Sequence, residues 1–180
     1  MDPTILLKKY FPPEQKAFSI LERHSRMVAE KAVAIAGNLS TSVDTEFIYQ
    51  AAMLHDIGVC RTSAAQIGCF GNLPYICHGY AGREILEAEG LPRHGLVCDR
   101  HIGVGLSSRD IQQQNLPLPP RDMVPKSLEE RIIAYADLFF SKDPGLQEGE
   151  KTAEDVRASL SRFGAEKVAI FNEWHGLFAL

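Results

Sequence analysis

The chain has 180 residues, of which 45% are hydrophobic and 23% charged, with a net charge of -4 at pH 7. That length suits one domain with its own core, and the acidic balance without a Lys/Arg cluster leaves no electrostatic footprint for duplex nucleic acid. No apolar run approaches the length of a bilayer span, and "MDPTILLKKYFPPEQ" lacks the long apolar stretch of a signal peptide, so a cytoplasmic protein is expected. The four cysteines, Cys60, Cys69, Cys77 and Cys98, have no C-x-x-C spacing and are read as free thiols.

In chain order, helical periodicity runs from Ser19 to Leu39 through Ile20, Leu21, Met27, Val28, Val33 and Ile35. Asp44 is a good N-cap for a second helix through Phe47, Ile48, Ala51 and Leu54. Residues 59–77 read as a loop. A third helix is expected from His78 to Glu89, stopped by Gly90, and a fourth from Pro92 to His101. A short helix follows Ser107, and "NLPLPPRDMVP" is an extended connection. Ser127-Leu-Glu-Glu130 is a capping box before the apolar "RIIAYADLFF", "KDPGLQEGE" is an exposed loop, and Thr152 caps a last helix to about Trp174. Val, Ile and Thr form no alternating runs, so no sheet is expected. The reading is a single all-α domain, a metal-site core of about 19–142 followed by a C-terminal helix of about 152–174.

Several ionisable residues fall on apolar faces. His24 has Ile20, Leu21, Met27 and Val28 at helical spacing, Asp137 has Ile133, Ala134 and Phe140, and His55-Asp56 closes the apolar "AAMLHDIG" before the stop signal of Gly58. A buried carboxylate without a partner costs several kcal/mol. Two imidazoles and two carboxylates converging from three helices form a mixed N/O site for a divalent metal such as Mn, Fe, Ni, Zn or Mg. His78 and His101 add a second layer, beside Gly79, Gly82, Gly103 and Gly105 that leave room for a ligand or another ion. Asp56 as a bridge would then hold two ions at about 3.5–4 Å, suited to in-line displacement at phosphorus. His94 reads as exposed, His175 as a packing or capping residue, and Tyr49, Tyr80 and Tyr135 as pocket or core. The apolar C-terminal "HGLFAL" either packs on the bundle or contacts a second subunit in a homodimer.

The order His24, His55-Asp56, His78, His101, Asp137, together with "HDIG", "HGYAGREIL", "RHIGVGL" and "LEERIIAYADLF", resembles the HD-domain superfamily and its small single-domain HDIG proteins. The resemblance implies an HD-type helical bundle and metal-dependent hydrolysis of a phosphomonoester or phosphodiester by metal-bound hydroxide. The substrate would be a nucleotide or another small phosphorylated compound. His24, His55, Asp56 and Asp137 would hold a first divalent ion, and His78 and His101, with Asp56, a second. Asp56 and His55 would be the catalytic pair, with Asp56 orienting the nucleophile or taking its proton. Many HDIG proteins carry a lysine after the glycine; Val59 stands there in this chain, which makes Arg61, Arg83 and Arg100 the candidate substrate-binding residues. Two alternatives share the motif. One is an HD-fold di-iron oxygenase, disfavoured because Ile102-Gly-Val-Gly105 follows His101 with no lysine, and the other a regulatory module that binds metal and nucleotide without turnover.

Overall fold

The structure is a computed structural model that describes residues 1–142 and 149–180. Its helices are α1 (Pro3–Tyr10), α2 (Lys16–Asn38), α3 (Thr45–Leu54), α4 (His78–Ala88), α5 (Pro92–Arg100), α6 (Ser108–Gln113), α7 (Leu128–Asp137), α8 (Ala153–Ser161) and α9 (Ala165–Phe178). Capping explains many of the boundaries. Asp2 Oδ1 accepts from the Thr4 amide at 2.9 Å with Pro3 opening α1, and Asp44 Oδ1 accepts from Phe47 at 3.0 Å to start α3. Ser107–Asp110 and Thr152–Asp155 form reciprocal capping boxes on α6 and α8.

The long α2 lies against α3 and α7, while α4 pairs with α5 and packs on the short 3-10 turn Ile57–Arg61. The core between them includes Leu21, Ile48, Met53, Leu54, Ile57, Tyr135 and Phe171, all fully buried. Each such side chain contributes roughly 1.5–3 kcal/mol, and their sum offsets the cost of the ionisable groups described below. Trp174 and Phe178 fold back onto this core, whereas Leu177 and Leu180 stay exposed.

The structure departs from the sequence reading in several places. Residues 59–77 contain a two-stranded antiparallel pairing, β1 (Ser63–Ala64) with β2 (Cys69–Phe70), too short to leave an alternating pattern. The last helix is two helices, because Gly164 (φ 119) breaks the chain between α8 and α9 while the apolar period continues on both sides. At α7 only half of the expected capping box forms: Ser127 caps Glu130, but the Glu130 carboxylate bonds the Lys126 amide and Arg100 instead. His94 is buried, edge-on to Phe47 at 5.0 Å and 3.3 Å from Gln50 Oε1, not exposed. Helix α1 carries too few residues to show a period and is visible in the sequence only through its Asp-Pro cap. The expected loop "KDPGLQEGE" lies largely in 143–148, outside the described residues.

Candidate metal centre

Most of the ionisable residues singled out in the sequence sit where a helix starts or ends. His55 is the C-cap of α3 and Asp56 the N-cap of the following 3-10 turn; His78 opens α4, His101 follows α5 and Asp137 ends α7. His24 alone lies inside a helix, α2. The change from α-helix to 3-10 turn after Leu54 lets the adjacent His55 and Asp56 aim at one point. Gly58 does more than stop a helix. A Cβ there would lie 2.0 Å from the His78 carbonyl oxygen and 2.3 Å from the Gly82 amide, so the HDIG turn and α4 are in backbone contact only because residue 58 has no side chain. Gly79 and Gly82 serve the neighbouring contact: a Cβ at either would press on Cys98 of α5, and the space they leave is filled by helix packing, not by a ligand.

The six side chains converge. His24 Nε2 lies 3.3 Å from His55 Nε2, 3.2 Å from Asp56 Oδ2 and 3.0 Å from Asp137 Oδ1. His55 Nε2 is 3.1 Å from the same Asp56 oxygen and 3.4 Å from Asp137 Oδ1. The other Asp56 oxygen, Oδ1, faces a second pair, His78 Nε2 at 3.4 Å and His101 Nε2 at 3.5 Å, which are themselves 3.2 Å apart. Separations near 3 Å are those of neighbouring ligand atoms bound at about 2.0–2.2 Å around one ion. Three of the histidines are fixed in the same way. Their Nδ1 atoms meet the carbonyls three residues earlier (Ala52 at 2.6 Å, Tyr75 at 2.7 Å, Cys98 at 2.8 Å), which sets the tautomer and turns Nε2 inward.

Among the described residues, Oδ1 of Asp56 and Oδ1 of Asp137 are buried without a hydrogen bond. Such orphaned carboxylate oxygens fit a cation, and the combinations His24–His55–Asp137 and His55–Asp56–His101 each have the spacing to hold a metal ion. Electrostatics tell the same story. Burial alone would raise the Asp56 pKa, yet His55 and Lys142 hold it well below the usual carboxylate range, and Lys142, His24 and His55 do the same for Asp137. Burial also works against charge on His55, but Asp56 and Asp137 outweigh it and bring its pKa up to about 10. His78, buried and near His101 and Lys142, is pushed down to about 3 despite Asp56.

A cleft of about 310 Å³ opens over the cluster, lined by Gln66, Tyr75, His78, His101, Asp137 and Lys142 among others. None of the three arginines proposed from the sequence lines it. Arg61 pairs with Glu84 at 2.9 Å, Arg83 with Glu87 at 2.7 Å and Asp99 at 3.2 Å, and Arg100 with Glu130 at 2.8 Å. The basic groups of the cleft are Lys142 and Lys151, which sequence reasoning missed. Lys142 donates to Asp56 Oδ2 at 2.6 Å and to His24 Nε2 at 3.3 Å. Burial opposes its charge, but Asp56, Tyr75 and Asp137 raise its pKa above the ordinary lysine value.

An all-helical bundle that gathers four histidines and two aspartates over one cleft is the architecture of an HD domain. The model of the HD domain matches residues 21–140, and the chain belongs to that family. It is 31% identical over 171 residues to a tRNA (cytidine(56)-2'-O)-methyltransferase of Thermoplasma volcanium, covering 89% of this chain and 46% of the relative. An uncharacterized protein of Methanocaldococcus jannaschii is 35% identical over 135 residues, covering 68% of this chain and 72% of the relative. The chain therefore spans about half the length of the methyltransferase. In fold it is similar to the HD domain of the L. monocytogenes phosphodiesterase PgpH (TM-score 0.54, 17% identity, covering 96% and 95% of the two chains) and to the same domain in complex with cyclic-di-AMP (TM-score 0.55, 17% identity, 97% and 98%). Among the described residues no helix is long and apolar enough to cross a membrane.

Proposed function

We propose that the protein is a metal-dependent phosphohydrolase acting on a small phosphorylated compound, a nucleotide being the preferred class. The observation that carries this reading is the position of Asp56, whose two oxygens face two different histidine sets. His24, His55, Asp56 and Asp137 would hold one divalent ion, and Asp56, His78 and His101 a second. Bound there, the ions would supply Lewis acidity and a nucleophile derived from water. Asp56, lying between the two sets, would orient that nucleophile. The imidazole Nδ1 bonds keep His55, His78 and His101 aimed, and the lysines of the cleft attract the anionic ester. The cyclic-di-AMP held by the similar HD domain supports a nucleotide as the ligand class. Methyl transfer is not part of the proposal, because the methyltransferase relative extends well beyond the matched segment.

The same cleft supports a second reading, iron- and dioxygen-dependent oxygenation. Lys142 and Lys151 supply the basic groups near His101 that the sequence following that histidine lacks. Metal analysis of protein purified without chelator and without air tests the first reading. About two transition-metal ions per chain are expected, falling to about one in His78→Ala, together with release of phosphate or of a nitrophenolate from nitrophenyl phosphoesters. Absence of metal even after reconstitution overturns the catalytic reading, and turnover that requires dioxygen transfers it to the oxygenase.

A further inference from the structure

The Lys142 side chain is only 15% exposed and places its ammonium 2.6 Å from Asp56 Oδ2 and 3.3 Å from His24 Nε2. Those two atoms are 3.2 Å from each other and belong to the set proposed to hold the first ion. An ammonium group has donors and no lone pair, so it can neutralise these atoms but cannot ligate a metal. A divalent ion bound to Asp56 Oδ2 and His24 Nε2 at about 2.0–2.2 Å would lie against Nζ with like charge. Lysine and metal therefore compete for these two atoms.

Accepting the phosphohydrolase reading above, we propose that Lys142 has two positions: among the ligands when no metal is bound, and in the cleft as the phosphate-binding group once metal has taken its place. In the first position it supplies the positive charge that lets Asp56 and Asp137 stay buried and ionised. In the second it stands beside the metal centre, where an anionic ester needs a compensating cation.

Three observations favour the second position. Lys142 lines the cleft, so its side chain can move toward solvent while staying beside the reacting centre. The residues around the opening, Gln66, Tyr75 and Ser141, are polar, which leaves the displaced ammonium in a hydrogen-bonding environment. The three arginines expected from the sequence to bind substrate are held by Glu84, by Glu87 and Asp99, and by Glu130. A flexible stem carrying a point charge suits such a move better than the planar fork of an arginine. Lys142, from beyond α7, would thus take the role that the lysine absent at position 59 has in many HDIG proteins.

The two positions predict effects of opposite sign, which a structural role would not produce. Lys142→Met and Lys142→Arg are compared with wild type in the full chain, using manganese alone, inorganic phosphate with the manganese-loaded protein, and bis-nitrophenyl phosphate as substrate. Lys142→Met is expected to bind manganese about tenfold more tightly in a chelator competition, because the competing ammonium is gone. The same variant should bind inorganic phosphate about tenfold more weakly and raise KM more than it lowers kcat, with Lys142→Arg restoring much of the phosphate affinity. Unchanged or weaker manganese binding by Lys142→Met overturns the first position, and unchanged phosphate affinity overturns the second. Wild-type protein that takes up no manganese defeats the hydrolase reading itself. A Lys142→Met protein that binds metal and phosphate like wild type defeats only the role of Lys142. Circular dichroism of both variants separates these results from loss of fold.

Discussion

Among the described residues, two largely buried lysine–aspartate pairs share the same 2.6 Å contact, Lys167–Asp110 and Lys142–Asp56. In the first no buried side-chain atom is left without a hydrogen bond. Lys167 also donates to the Gly105 carbonyl at 2.9 Å, and Asp110 Oδ2 accepts from the Ser107 amide at 2.7 Å and hydroxyl at 2.8 Å. That pair ties α9 to the N-terminus of α6. The second pair leaves Asp56 Oδ1 without a hydrogen bond, facing two imidazoles, with the orphaned Asp137 Oδ1 close by. A buried ion pair whose buried atoms are all bonded is a structural tie; carboxylate oxygens left without a hydrogen bond in front of histidines fit a cation instead.

Removing each carboxylate in turn should therefore break different things. Asp56→Ala is expected to abolish binding of both ions and to reduce phosphoester hydrolysis by on the order of 10³-fold, with the helical circular dichroism retained. Asp110→Ala should leave metal content and kcat of the folded protein near wild type. Its cost falls on stability instead, about 3 kcal/mol or roughly 10 °C in Tm, since it strands the Lys167 ammonium and removes the Asp110 half of the α6 capping box. If Asp110→Ala lost metal while Asp56→Ala kept it, the distinction between the two pairs would be wrong.

A pH experiment sharpens the same comparison. With its pKa at about 10, His55 carries a proton at pH 7 in the metal-free protein, and a metal must displace that proton to use Nε2. Metal uptake at pH 7 should release about one proton, and apparent affinity should rise with pH until it levels off near the His55 pKa. Titration calorimetry in buffers of different ionisation enthalpy measures the release directly; no release would contradict the assignment. The metal-free fold responds in two windows. His55 has a raised pKa, so its contribution to stability is complete below the ordinary histidine value of about 6.5 and is lost as pH rises through about 10. His78, held down at about 3, costs stability as pH falls from about 6.5 toward that value, because the unfolded chain takes up a proton that the folded chain refuses.

How much of this could be read from the sequence depended on whether a residue sat within a periodic helix. His24 and Asp137 stand out because their helical neighbours are apolar, and "LHDIG" because two polar residues end an apolar run. The structure brings these together with His78 and His101. Lys142 and Lys151 lie past the end of α7, where no period marks a face, so nothing but their nearness in sequence to Asp137 connects them with the site. The arginines lie close to the motif in sequence, and apart from the i, i+4 pair Arg83–Glu87 their carboxylate partners are 16 to 30 residues away, where no local pattern marks them. Gly58 was legible as punctuation, but its real constraint, backbone contact with α4, is tertiary. Helices long enough to show a period were recovered to within a few residues, whereas α1, the two-residue strands and the break at Gly164 were too short or too local for any pattern.

The smallest expected effect concerns the rim of the cleft, where position and residue type can be separated. Lys151 lines the cleft, and its backbone amide donates to the Phe139 carbonyl at 2.9 Å, a bond that survives any side-chain change. Arg61 carries the same charge, but lies outside the cleft lining in an exposed pair with Glu84. Lys151→Met should raise KM for an anionic ester about two- to threefold with little change in kcat, because a partly solvated cation at the rim contributes only a fraction of a kcal/mol. That KM effect should shrink with added salt, as expected for an exposed charge. Arg61→Met should change neither constant. Steady-state kinetics at low and high ionic strength decide the matter: equal effects from the two substitutions would mean that overall charge, not the cleft, attracts the substrate.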